Sequence, residues 1–193
     1  MPRSILLLAL LALPTAAGAQ ATVRVTFVAQ SDSFAAAARA YTELWAEDGE
    51  RIVPTMERIS GLRFVTPEYA DTAIIANVLE RASSSGYRDT PMALRASYPP
   101  DTKRATLIHE LGHRLQGNLF RAGEEEHEEL FLWVYDVWVE LYGQTFADEQ
   151  VVVEKRRGER YVRAWDAALA SSAGERAARW RAIRDERMRR TGA

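Results

Sequence analysis

The sequence predicts an α+β fold, with a small N-terminal sheet and a helical C-terminal half. Three observations carry this. Segments rich in β-branched residues with a period of two cluster in the first hundred residues; apolar stripes at helical spacing fill the rest; and strands come first and helices later, not in strict alternation. At 193 residues the chain fits one domain with a real core.

The elements follow in order. Thr22-Val23-Arg24-Val25-Thr26-Phe27-Val28 alternates polar and apolar residues and reads as the first strand. Ser31 or Asp32 then caps a helix carrying Phe34, Ala38, Tyr41, Leu44 and Trp45, which Asp48-Gly49 stops. A second helix covers residues 52–59, with Pro54 in its first turn and Ser60-Gly61 at its end. Leu62-Arg63-Phe64-Val65 and residues 73–79 are candidate strands, the latter compatible also with a short helix. Ser83-Ser84-Ser85-Gly86 reads as a mobile turn, and residues 92–98 as a further strand before Pro99-Pro100 breaks the chain. Asp101 or Thr102 caps a helix running to about Gln116, ahead of Gly117-Asn118. Residues 124–142 form a long helix closed by Gly143, and residues 148–190 are helical with one interruption near Ser171-Ser172-Ala173-Gly174.

The first 21 residues have the layout of a signal peptide. Arg3 supplies a positive start and residues 5–13 a short apolar run. Pro14 then breaks the run, and Ala17-Gly18-Ala19 or Ala19-Gln20-Ala21 offers a small-x-small cleavage site. The run is shorter than the roughly 20 residues a membrane span needs. The expectation is export to a periplasmic or secreted location, no stable membrane span after cleavage, and a single domain over residues 22–193. A formal net charge of −2 gives no global bias toward nucleic acid or anionic membrane. The absence of cysteine removes disulfides and thiolate ligands, so any metal would be held by His, Asp or Glu. That favours an open catalytic site over a closed structural one.

His109-Glu110-Leu111-Gly112-His113 is an H-E-x-x-H pentapeptide, and it uses two of the three histidines in the chain. On a helix, positions i and i+4 share a face, so both imidazoles can reach one ion. Glu110 then aims its carboxylate at a water on that ion. This is the zinc-binding and general-base signature of metallopeptidases. Leu107, Ile108, Leu111 and Leu115 make the helix largely apolar, and Gly112 leaves room for a close neighbour.

Three protein ligands and a water are the working arrangement of catalytic zinc. The third histidine, His127, shares a helical stripe with Leu130, Phe131, Val134, Val137, Trp138 and Leu141. It is therefore expected to face the core beside the active-site helix, with Glu125 and Glu129 pointing away. Glu128, one step round, could also reach. Asp136 either accepts the second ring N–H of a ligand histidine or pairs with a nearby arginine. Tyr142 or Tyr135 is a candidate donor to the oxyanion.

Residues 108–142 resemble zincin-type metallopeptidases, and the His-Glu-Leu-Gly-His core is similar to the gluzincin and minigluzincin groups. The metzincin extension would need Gly at 116 and His at 119, where Gln116 and Leu119 stand. The resemblance implies a zincin-like fold and a zinc-dependent peptidase acting on peptide or protein substrates, with Glu110 catalytic and His109 and His113 on the metal; the leader adds export, and the apolar stripe adds His127 as the expected third ligand. Gluzincins take a glutamate from the next helix as third ligand, which Glu128 would match. SprT-like proteases take a later histidine, which His127 would match. Zincins also lay substrate along a sheet edge, which implies that residues 92–98 are that edge. The alternative is a non-enzymatic helical binding protein with a vestigial metal site, against which the intact Glu110 speaks.

Residues 154–190 carry twelve Lys or Arg against six acids. Such a cluster can meet anionic lipid or the acidic run at residues 124–129, but its simplest reading is a solvated helix face, with Tyr161, Trp165 and Trp180 at spacings that suit core packing.

Overall fold

A computed structural model of the chain describes residues 23–64, 73–86, 90–117, 119–120 and 127–191. The fold is α+β and mostly helical. Strands β1 (Val25–Ala29), β2 (Ile74–Leu79) and β3 (Met92–Arg95) form one parallel sheet in that order. The α-helices among the described residues are α1 (Ala35–Ser60), α2 (Pro100–Gln116), α3 (His127–Tyr142), α4 (Gln144–Lys155), α5 (Glu159–Leu169) and α6 (Ala173–Thr191). Along β2 the pleat turns Ile74, Ala76 and Val78 into the core and leaves Ile75 exposed. Residues 73–79, which suited strand or helix equally, are thus the central strand.

The two expected N-terminal helices are one. α1 runs unbroken through Asp48-Gly49 and carries Pro54 inside it. Tertiary contacts override the boundary read at Asp48-Gly49. The Trp45 ring lies against Gly49, 3.0 Å from where a Cβ would stand. The buried Asp48 carboxylate accepts from Tyr142 Oη at 2.9 Å and Arg104 Nε at 3.3 Å, so it is tied to α3 and α2 instead of capping a chain end. Gly61, at φ +68, ends the helix in the left-handed conformation that glycine tolerates.

Leu62-Arg63-Phe64 is not a strand, and Val65 lies outside the described residues. Its backbone is satisfied by side chains: Leu62 N–H donates to Ser60 Oγ at 3.1 Å and Phe64 N–H to Glu57 Oε1 at 2.9 Å. Leu62 and Phe64 still enter the core, which is what their apolar character reported.

The last strand stops at Arg95 instead of reaching Tyr98. The carbonyls of Ala96 and Tyr98 accept from Lys103 Nζ of α2, which takes them out of any ladder. Its outer edge is occupied. Ala93 exchanges two 2.9 Å backbone bonds with Ser84, Arg95 N–H donates to Ser83 Oγ at 3.1 Å, and Arg95 C=O accepts from Tyr41 Oη at 3.1 Å. The residues read as a mobile turn are therefore pinned to β3, and the edge expected to receive substrate carries a segment of the chain itself.

α3 sits at the centre and is buried almost all round, with Phe131, Trp133, Val134 and Trp138 each at 1% exposure or less. It packs on α1, α2, α4, α5 and α6. The expected start of this helix, residues 124–126, lies outside the described residues. α2 begins at Pro100 after Pro99, one residue before the caps expected at Asp101 or Thr102. The C-terminal stretch breaks twice: at residues 170–172 as expected, and at residues 156–158, where Gly158 adopts φ +137. Part of its charge is paired, Lys155 on Asp166 within the stretch and Arg176 and Arg187 on Asp136 and Glu129 of α3. No helix among the described residues is long and apolar enough to cross a membrane; the signal-peptide expectation, residues 1–21, lies outside them.

Candidate metal centre

One face of α2 carries Thr106, His109, Glu110 and His113 at the i, i+3, i+4, i+7 spacing that aligns side chains on a helix. His109 and Glu110 are buried and His113 is half-buried. His109 Nε2 and His113 Nε2 face each other 3.1 Å apart. Two nitrogens each about 2.0–2.1 Å from one tetrahedral ion stand roughly 3.3 Å apart, so the pair is already at coordinating separation.

Gly112 explains how α3 closes on this face. A Cβ there would meet Leu130 Cδ1 at 2.7 Å and Trp133 Cη2 at 3.3 Å. Trp133 Nε1 also donates to buried Gln116 Oε1 at 2.8 Å, fixing the register of the two helices. His127 stands one turn before Leu130 on the same side of α3. That turn brings its ring to 5.3 Å from His109 and 4.8 Å from His113, between centroids. One nitrogen from each of the three rings lies within 4.8 Å of the others. Every histidine of the chain is in this cluster. Glu128 is exposed, and Glu129 turns toward Arg187 at 3.5 Å; Glu125 lies outside the described residues.

The group that supports the cluster comes from α4. Glu154, 2% exposed, places Oε1 2.8 Å from His109 Nδ1, and neither atom has a better-aligned partner. Its Oε2 accepts the Trp165 indole N–H at 3.0 Å. A carboxylate at Nδ1 selects the tautomer protonated there, so His109 Nε2 presents its lone pair toward His113. Burial alone would raise the Glu154 carboxyl, but His109, Arg157 and the Trp165 N–H together hold it below the ordinary carboxylate range. Burial pushes the His109 ring down to about 3 against the pull of Glu154, so the ring stays neutral, as a ligand must be. The donor set of three imidazoles without thiolate, one of them anchored by a carboxylate, fits zinc.

Burial also raises the Glu110 carboxyl to about 7, with His113 and Arg157 opposing the rise and Glu154 adding to it. A carboxylate poised near neutrality is suited to accept and return a proton.

Arg157 and Tyr161 complete the surroundings. Arg157 Nη2 lies 3.4 Å from Thr106 Oγ1 and 3.7 Å from Glu154 Oε1. It also stands 5.4 Å from the centre of the Tyr161 ring. The Tyr161 ring packs 4.6 Å from His127 and 6.3 Å from His109. Burial raises the Tyr161 hydroxyl and Arg157 counters it, so it remains a protonated donor.

The other sequence candidates go elsewhere. Asp136 pairs with Arg176 at 2.5 Å, the arginine alternative. Tyr142 donates to Asp48 and Tyr135 to Asp148 at 2.7 Å, so the tyrosine beside the histidines is Tyr161. Glu154 had a readable signal: Ala147, Gln150, Val151 and Glu154 form the buried i, i+3, i+4, i+7 stripe of α4, with a carboxylate on an apolar face. Arg157 and Tyr161 had none, because the turn at Gly158 aims them.

Glu154→Gln tests the support directly. Removing the charge while keeping the shape should weaken zinc about 10–100-fold, measured by competition with a chromophoric chelator. An unchanged affinity would make Glu154 a core residue with no part in the centre. No family model, curated protein or solved structure matches the chain.

Proposed function

We propose that the chain is an exported, zincin-like zinc metallopeptidase, with His109, His113 and His127 as ligands and Glu110 as general base. One observation carries the proposal above the rest: all three histidines converge on one point, beside a buried glutamate on the same helix face. Export rests on the layout of the first 21 residues, and peptide as substrate on the resemblance of residues 108–142 to zincins.

Zinc, when bound, would act as a Lewis acid on the scissile carbonyl and lower the pKa of water. The protein groups do the rest. Glu110 takes a proton from the attacking water as its oxygen bonds to the carbonyl carbon. It returns that proton to the amide nitrogen as the carbon–nitrogen bond breaks, so acid and base roles alternate on one carboxyl. Tyr161, held by Arg157, donates toward the carbonyl oxygen as it gains negative charge. Glu154 keeps His109 in its tautomer throughout. Phe131 and Trp165, stacked with ring centres 3.8 Å apart, wall the histidines from the core side.

Zinc-loaded protein is expected to cut a mixed peptide library, with products read by mass spectrometry. Cleavage should stop on chelation and return on adding zinc. A zinc-loaded, folded protein that leaves every peptide intact would sink the peptidase reading while leaving the metal site standing.

A further inference from the structure

Arg157 offers more than support for its neighbours. Its charge, like that of His113, bears on both His109 and Glu110. Its contacts with Thr106 and Glu154, at 3.4 and 3.7 Å, are long beside the roughly 2.7–2.9 Å of a charge-assisted hydrogen bond. A guanidinium carries five donors, so two long contacts and the Tyr161 ring, whose centre is 5.4 Å away, leave capacity for a planar two-oxygen anion. Its side chain is 19% exposed, shielded from bulk water yet reachable.

Its position fits a substrate group. Thr106 precedes His109 by three residues, a rise of about 4.5 Å along α2. The guanidinium therefore contacts α2 about 4.5 Å before His109, and it lies 3.7 Å from the Glu154 oxygen that meets His109 Nδ1. That offset matches a carboxylate on the residue next to the bond being cut. Charge agrees: a dication beside two carboxylates and one guanidinium leaves a net positive pocket, which favours an anionic substrate over a neutral one.

We propose that Arg157 is a specificity residue that binds a substrate carboxylate one residue from the scissile bond. The preferred substrates then carry there either a free C-terminus or an acidic side chain. This rests on the metallopeptidase reading of the same site.

The test is calorimetric titration of the zinc-loaded Glu110→Gln protein, which reads binding without turnover. The probes are acetyl-glycyl-leucine and its C-terminal amide for the terminal carboxylate, and acetyl-glycyl-aspartyl amide and acetyl-glycyl-asparaginyl amide for the side chain. At least one acid should bind about tenfold more tightly than its neutral partner, the order expected of one charge-assisted pair. The pair that shows the difference identifies the source. Arg157→Gln should bring the ratio near one, and Arg157→Lys should keep part of it, as a charge without the planar fork. Equal binding of both acids and their amides overturns the proposal, as does a preference that survives Arg157→Gln. If the Gln variant does not fold, the Lys variant and the unaltered Arg157 decide. Zinc content and peptide hydrolysis report separately on the parent reading, so the two can fail independently.

Discussion

Glu110→Gln is expected to bind zinc as tightly as the unaltered protein and to lose at least about 10²–10⁴-fold in kcat. The substitution keeps the shape of the side chain and removes its capacity to accept a proton. It leaves in place the three imidazoles, two on α2 and one on α3. Loss of activity cannot be ascribed to loss of fold, because burial makes the ionised carboxylate costly: it lifts the carboxyl from 4.5 to about 7. A raised folded pKa means that ionisation destabilises the metal-free protein, with a cost that is absent below about pH 4.5, grows toward pH 7 and is constant above. A neutral amide escapes this cost. Metal-free Glu110→Gln should therefore melt no lower than the unaltered protein at pH 8, and the two should converge at pH 4. Turnover at the unaltered rate would remove Glu110 from the chemistry.

His127→Ala is expected to weaken zinc as strongly as His113→Ala, and by more than the ~10–100-fold that a supporting group is worth. Glu128→Ala should change affinity little. Neighbouring positions on a helix differ by about 100°, so both cannot face one ion equally. His127 has its ring 4.8 Å from that of His113, whereas Glu128 is exposed. Binding stabilises the native state by mass action, so zinc should raise the thermal midpoint of Glu128→Ala and leave that of His127→Ala unmoved. The reverse pattern, zinc lost in Glu128→Ala and kept in His127→Ala, would make the site a two-His, one-Glu centre of the gluzincin kind.

The parts of this site that a sequence displays are those set by helical periodicity. His109, Glu110 and His113 are placed by i, i+1, i+4 spacing alone, and His127 by the apolar stripe it heads. Gly112 is legible for the same reason, as a gap where a neighbour must approach. The burial of Glu154 is legible in its stripe, but its place beside His109, like those of Arg157 and Tyr161, is not, since the three come from 27 to 34 residues beyond His127. Their arrival depends on the turns at Gly143 and Gly158, whose direction no local pattern encodes.

The fold divides along the same line. Strand and helix types are local and most were readable, but the parallel pairing of all three strands is a tertiary property. Gly49 and Pro54 carried correct local signals that lost to packing across α1, where Asp48 meets Arg104 and Tyr142. Leu62 and Phe64 show the opposite error: apolar burial resembled a strand where Ser60 and Glu57 side chains satisfy the backbone.

The central claim is that three imidazoles from two helices hold one zinc ion. Metal analysis of the purified protein, dialysed against zinc and then against metal-free buffer, tests it most directly. About one zinc per chain is the predicted result, falling to near none when any of His109, His113 or His127 is replaced by alanine. A folded protein that retains no zinc, or one whose zinc survives all three replacements, would contradict it.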